Sequence, residues 1–328
     1  MVTLKDIAAA CDVSIATVSR VLNHDLSFKI KRETRALIIK TAADMNYKKE
    51  KALDIKSLNV ALVQWISQEN EKDDAYYYEI RKSVEYQCYF HDIYLNQFYI
   101  ENIDSMKHNK NIDAIICIGK FSQRQINFFQ SITPNIIFID SNPDEEKYTA
   151  ILYDLEYGME KTVDYLKSMG HEKIAYIGGR EYIGEERKLY QDARERKFKE
   201  MIKQEEITVN PKHIYLGSFD YDTGYSAIRS FLKESTTPPT AIICANDLIA
   251  QGANRALLDQ KREDISLTSF NNLLNKKASP FTTVDLDTQY VAVLAISQLI
   301  NAHVMNQYGA VKIFIKPKLI IRESVKPV

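Results

Sequence analysis

The 328-residue chain has only four cysteines, six histidines and one tryptophan. Cys11, Cys88, Cys117 and Cys244 stand far apart, without the spacing of a metal site or disulfide framework. They read as reduced thiols filling small gaps in a core. No apolar run approaches the ~20 residues needed to span a bilayer. The opening MVTLKDIAAA lacks the basic and then apolar regions of a secretion signal. A cytoplasmic protein that does not enter membranes is expected. Neither G-x-G-x-x-G nor G-x-x-x-x-G-K-[ST] occurs, and Ile177-Gly178-Gly179-Arg180 follows a strand-like run without completing either phosphate loop. H-E-x-x-H and G-x-S-x-G are missing as well, and the histidines are dispersed. No metal, cofactor or catalytic centre is expected.

What is present is an ordinary globular composition, 45% hydrophobic and 27% charged, with a formal net charge of −1. The charge is unevenly spread. Residues 1–56 hold eleven Lys/Arg against seven Asp/Glu, a net of +4, which leaves −5 for the rest. A basic head on an acidic body is the footprint of a nucleic-acid reader joined to something else.

In the head, Thr3-Leu4-Lys5-Asp6 has the spacing of a capping box, and Leu4, Ile7 and Ala8 share one helical face. Cys11-Asp12 interrupts that helix, and Asp tolerates the left-handed backbone of a tight turn. Ser14 then caps a second helix from Ile15 to about Asn23, with Val18, Val21 and Leu22 inward. A third helix over about Glu33–Met45 carries Leu37, Ile38, Thr41, Ala42 and Met45 as its buried stripe. Two short helices around a tight turn, braced by a third, describe a helix-turn-helix. The outward face of the second helix offers Ile15, Ala16, Thr17, Ser19, Arg20 and Asn23. Arg can grip guanine O6 and N7 together, and small apolar groups can touch the thymine methyl. Short hydroxyls and amides suit phosphates.

These residues resemble the lactose/galactose repressor family of bacterial transcriptional regulators. The resemblance rests on Val2-Thr3-Leu4-Lys5-Asp6-Ile7-Ala8, on Val13 through Asn23, on Thr34-Arg35 and on Met45-Asn46-Tyr47. It implies that Ile15, Ala16 and Arg20 read bases while Thr3, Ser14, Thr17, Ser19 and Asn23 lie near phosphates. Asp12 departs from the family's usual Gly or Asn, a small backbone cost. After Tyr47 the family has a hinge helix whose Leu wedges into the minor groove. Here residues 48–57 are shorter and more charged. Leu53 is the candidate wedge, and a solvated linker is an equally good reading of the same residues.

From Leu58 onward, apolar strand-like runs alternate with helical stretches such as Ile80–Phe90, Gly158–Met169 and Leu248–Asp259. That alternation implies parallel sheets covered on both faces, an α/β core of two doubly wound subdomains with a ligand between them. The domain reading is a head at 1–47, a hinge or linker at 48–57, and a core at 58–328. Within the core, the first subdomain takes about 58–151 and 282–310, and the second about 152–281 and 311–328. The resemblance extends here through Ala245-Asn246-Asp247, Asp264 to Leu267, and Thr282-Thr283-Val284 with Asp287. It implies a core like a periplasmic sugar-binding protein, with Asp140, Arg194, Phe219 and Asn246 lining the cleft. Trp65 and the Tyr77/Tyr78 loop are expected to face it.

Each of these has a plain structural use too. Asp140 fits a turn before Pro143, Phe219 fits a core, Arg194 sits in a charge run, and Asn246 fits a helix cap. Ser269-Phe270-Asn271-Asn272 stands where sugar-responsive members carry Asp, and Asn271 keeps hydroxyl recognition without the charge. Segments including Asp73 to Tyr78 and Gln191 to Phe198 resemble Gram-positive galactose-operon repressors, which implies galactose or a β-galactoside as effector. A purine or a phosphoprotein corepressor is the alternative, since Phe219 and Tyr77 also suit a base. The expected protein is a repressor binding palindromic operator DNA as a homodimer. A sugar-metabolising enzyme has no use for the basic head. No leucine-heptad tail follows, so a coiled-coil tetramer is not expected.

Overall fold

The computed structural model describes residues 2–22, 30–45, 47, 58–109, 111–204, 207, 209–234, 237–273, 279–305 and 309–328. The chain forms two compact units, Met1–Lys56 and Ser57–Val328. Asn23 and the whole hinge segment with Leu53 lie outside the described residues.

The first unit holds α1 (Leu4–Ala10), α2 (Ile15–Leu22) and α3 (Arg32–Asp44). Thr3 Oγ1 accepts from the Asp6 amide at 3.3 Å, and the Asp6 carboxylate accepts from the Thr3 amide at 2.7 Å, so the capping box closes. Asp12 takes φ 51°, the left-handed turn between α1 and α2. Ser14 Oγ accepts from the Thr17 amide at 3.0 Å and starts α2. Ile7, Ala8, Cys11, Val18, Val21, Ile38 and Ala42 form the buried centre. Leu37 departs from the expected stripe and is 48% exposed. It lies one residue, about 100° of helix, away from Ile38, which alone of the pair faces α1 and α2.

The second unit begins with β1 (Asn59–Gln64), α4 (Gln68–Glu71), α5 (Ala75–Phe90), β2 (Tyr94–Tyr99) and β3 (Ala114–Ile118). There follow α6 (Gln123–Ile132), β4 (Ile136–Ile139), β5 (Thr149–Tyr153), α7 (Leu155–Ser168) and β6 (Ile174–Gly179). A hairpin of β7 (Glu181–Ile183) and β8 (Lys188–Tyr190) precedes α8 (Ala193–Lys203), β9 (Ile214–Gly217) and α9 (Tyr221–Glu234). The chain continues through β10 (Ala241–Cys244), α10 (Asp247–Asp259), β11 (Ser266–Asn271) and β12 (Thr282–Asp285). It ends with α11 (Thr288–Met305), β13 (Lys312–Ile315) and β14 (Lys318–Ile320).

Two six-stranded sheets result, in the orders β13-β5-β4-β3-β1-β2 and β14-β12-β11-β10-β6-β9. Every pairing in them is parallel except β14 against β12. The central strands are apolar on both faces, as doubly covered sheets require: β3 (AIICI) and β10 (AIIC) are buried throughout.

The assignment of 282–310 and 311–328 to subdomains needs correction. β12 pairs with β11 (Thr282 opposite Thr268) and so belongs to the second sheet. β13 pairs with β5 (Lys312 opposite Ala150) and belongs to the first. α11, which packs on α5, and β14, which pairs with β12 in the second sheet, fall where expected. The chain therefore crosses between subdomains after β5, between β12 and α11, and between β13 and β14. The segment expected to be a loop at Asp73 to Tyr78 is also corrected. The Asp74 carboxylate accepts from the amides of Tyr76 and Tyr77 at 3.0 and 3.1 Å, which starts α5 at Ala75.

Candidate functional site

On the head, Val18 and Val21 of α2 are buried, which turns the opposite face outward. Thr3, Ser14, Ile15, Ala16 and Arg20 are exposed, and Thr17 and Ser19 are half-buried. Ile15 is 48% exposed, an apolar side chain in the open beside Ala16 at the start of the helix. Ala16 and Arg20, four residues apart, lie on one face. Two of the phosphate candidates also do local work. Thr3 and Ser14 each accept an amide as helix caps, and Ser14 Oγ lies 2.8 Å from Thr17 Oγ1.

In the core, the carboxyl ends of strands from both sheets meet around a cleft of about 350 Å³. Ligands of open α/β sheets bind at such ends. Tyr77, Asp140, Arg194, Phe219, Asn246 and Asn271, six of the seven expected effector residues, line it. Trp65 does not. It stands behind the wall, edge-on to Tyr77 with ring centroids 5.6 Å apart, and 5.2 Å from Lys120 Nζ. Gly119 makes room for it: at φ 97°, a Cβ there would sit 1.9 Å from the indole.

Asp140, at the end of β4 with φ 69°, is held by three donors. Tyr76 OH donates to one carboxylate oxygen at 2.9 Å. Tyr77 OH and Lys120 Nζ donate to the other at 2.8 and 2.6 Å. Lys120 also lies 3.1 Å from Glu181, carried by the hairpin. Burial opposes the charge on the Lys120 ammonium, but Asp140 and Glu181 outweigh it and push its pKa up. It is a fixed cation.

Arg194 opens α8 with its guanidinium turned into the cleft, its carbon centre 5.1 Å from the Phe219 ring centroid. Nε donates to Asp192 at 2.9 Å, Nη2 donates to the second Asp192 oxygen, and Nη1 donates to the Ala245 carbonyl. Burial raises the Asp192 pKa, yet Arg194 beside it wins and keeps the carboxyl below its ordinary value. The helix-cap use of Asn246 is real: Oδ1 accepts from the Ile249 amide at 2.8 Å, and Nδ2 donates to the Phe219 carbonyl at 3.0 Å. Asn246 thereby fixes the loop that presents Phe219. Asn271 takes φ 90°, and its buried Oδ1 has no hydrogen-bond partner among the described residues.

Reading the sequence alone missed Lys120, Glu181, Asp192, Tyr76 and Tyr190, all of which line the cleft. Asp192, two residues before Arg194, carried a detectable signal as a cap and counter-ion. Lys120 and Glu181 did not, because only the fold joins them. Among the described residues, no group of three or more His, Cys, Asp or Glu is placed to hold a metal, and no helix is long and apolar enough to cross a membrane.

Comparison with known proteins bears on both sites. Residues 3–50 match the model of bacterial regulatory proteins of the lacI family, and residues 163–325 match a periplasmic binding protein-like domain. The chain is 32% identical to the HTH-type transcriptional regulator GalR of Streptococcus thermophilus, over 91% of this chain and 92% of that one. It is 30% identical to GanR of Bacillus subtilis, over 99% and 100%. The fold is that of the lac repressor dimer bound to operator and the anti-inducer ONPF, with TM-score 0.67 and 20% identity over 99% of each chain. It is also that of the CelR–cellobiose complex, with TM-score 0.68 and 19% identity over 99% of this chain and 100% of that one. The chain belongs to the lacI family of bacterial regulatory proteins, and is a DNA-binding transcriptional repressor rather than an enzyme.

Proposed function

We propose that this repressor acts in the cytoplasm on a sugar-utilisation operon, binding a palindromic operator as a homodimer, with galactose or a β-galactoside as effector. Two copies are needed because one head reads one half-site, and a two-fold protein mirrors a palindrome. The outer face of α5 and the neighbouring β2 suit that pairing: Tyr86, Tyr89 and Tyr94 are 51%, 83% and 64% exposed. On DNA, Ile15, Ala16 and Arg20 read bases, and Thr3, Ser14, Thr17, Ser19 and Asn23 contact phosphates. Leu53 is the wedge between half-sites.

The observation that carries the sugar reading is the pairing of Arg194 with the Phe219 ring beside a carboxylate held by Tyr76, Tyr77 and Lys120. A ring face covers the apolar side of a pyranose, and the fixed donors and acceptors around it suit hydroxyls. The GalR relatives of Streptococcus thermophilus and Lacticaseibacillus casei support the choice of galactose by their names. Selection of bound sites from random duplex DNA, with and without galactose, tests both halves. A palindrome enriched without sugar and lost with it is expected. No enrichment under either condition would refute the DNA reading, and enrichment indifferent to galactose and lactose would refute the effector.

A further inference from the structure

Among the described residues, four cations line the cleft, and each already has a carboxylate. Lys120 pairs with Asp140 and Glu181, Arg194 with Asp192, Arg196 with Glu156, and Lys312 with Glu145. The carboxylates are not equally committed. Asp140 accepts from three side chains. Asp192 holds Arg194 through both oxygens and also takes its amide. Asp74 caps α5. Glu181 has the single ion pair to Lys120, with its side chain 15% exposed, whereas Glu145, likewise paired once, is 67% exposed to solvent.

Glu181 also comes from an unusual place. It belongs to the hairpin of β7 and β8, which leaves the second sheet after β6 yet meets the first subdomain at several points. Lys120 Nζ lies 5.1 Å from the Tyr190 ring centroid, a Cβ on Gly184 would lie 2.9 Å from Ser122, and Arg124 lies 3.7 Å from Glu185. The hairpin straps the cleft from one subdomain to the other. Its base, Glu181 and Tyr190, forms part of the wall.

Resting on the sugar reading above, we propose that Glu181 is a specificity-determining residue of the cleft, accepting a hydrogen bond from an effector hydroxyl and excluding sugars that carry an anionic group. The effector class is thus the neutral glycosides. A carboxylate or phosphate on the ligand would meet, among the described residues, no cation without a carboxylate, and would approach the half-buried Glu181, an arrangement that costs affinity. A neutral hydroxyl meets an acceptor with spare lone pairs.

Calorimetry on the full-length protein with D-galactose, lactose, D-galacturonate and galactose 6-phosphate tests this, for the natural chain and for Glu181→Gln. The substitution keeps the shape and removes the charge, and a cooperative melting transition with an unchanged far-UV circular dichroism spectrum certifies the fold. The natural protein is expected to bind a neutral sugar and neither anion. In Glu181→Gln, neutral-sugar affinity should fall roughly tenfold or more, the size expected for losing a hydrogen bond to a charged group, while the handicap of galacturonate shrinks. If the natural protein binds a neutral sugar and Glu181→Gln leaves both affinity and discrimination unchanged, the role of Glu181 is refuted while the sugar reading stands. Anion binding by the natural protein refutes the class. A natural protein that binds none of the four sugars overturns the sugar reading, and the assignment with it.

Discussion

Arg20 and Glu71 show how differently a charged side chain acts when exposed and when enclosed. Arg20 is exposed on the outward face of α2, and its proposed value lies in what it meets on DNA. Arg20→Ala is expected to weaken operator binding by about 1–3 kcal/mol and to relax preference at one base pair. Binding to a panel of single-base operator variants reads this directly, and a loss equal across all of them would make Arg20 a phosphate contact. Glu71 is buried and works for the fold. Arg81 Nε donates to both its oxygens at 2.7 and 2.9 Å, with Gln64 at 3.1 Å and Tyr99 OH at 3.0 Å. Burial pushes its pKa up, but Arg81 and the other donors prevail and hold it below the ordinary 4.5. A carboxyl depressed in the folded state stabilises above its unfolded value, and that stability is lost as pH falls through the folded one. Glu71→Gln should therefore cost about 3 kcal/mol at neutral pH, as for one broken buried pair. Below pH 4.5 its melting temperature should converge on that of the natural protein. A gap that stays constant with pH would show that the charge contributes nothing.

At the scale of elements, local signals were legible and pairings at a distance were not. The Thr3–Asp6 box, the turn at Asp12 and the Ser14 cap each lie within a few residues, and all appear where the pattern puts them. Ser14→Ala should loosen α2 by about 1 kcal/mol. Amide exchange is expected to quicken in the head and to stay unchanged in the core, since the two are separate compact units. The strands too were readable as strands. Their sheet membership was not, because β12 (TTVD) and β13 (KIFI) are short β-type runs that say nothing of their neighbours. Likewise Lys120 and Glu181 are an ordinary lysine and glutamate until topology sets them 3.1 Å apart. Arg194 reads as one charge among many in its run, and becomes a cleft residue only because Phe198 and Met201 on the same helix turn inward and take it with them. What sequence alone could supply at the cleft came from family register.

At the scale of the whole molecule, the three crossings between subdomains make the cleft the place where their relative orientation is set, and so the natural input of a switch. The chain's one tryptophan reports on that input. Trp65 packs edge-on to Tyr77, which lines the cleft, and over Lys120, which grips Asp140 and Glu181 on opposite sides of it. Any ligand that reorders this network changes the indole's surroundings, so galactose should shift Trp65 emission, whereas Gly119→Ala, which drives a methyl into the ring, should alter it without ligand. If the same effector releases operator, linkage demands symmetry. A coupling of about 1–3 kcal/mol, or 5- to 150-fold, that weakens DNA binding when sugar is bound must weaken sugar binding by the same factor when DNA is bound. Titrating galactose by Trp65 fluorescence with and without saturating operator measures one leg, and operator affinity with and without galactose measures the other. Both must be done at one salt concentration, since contacts to 6–10 phosphates alone change affinity by roughly 10³–10⁵ between 50 and 200 mM. Equal factors on the two legs are expected. Sugar and operator that bind independently would leave a repressor whose cleft controls something other than DNA release.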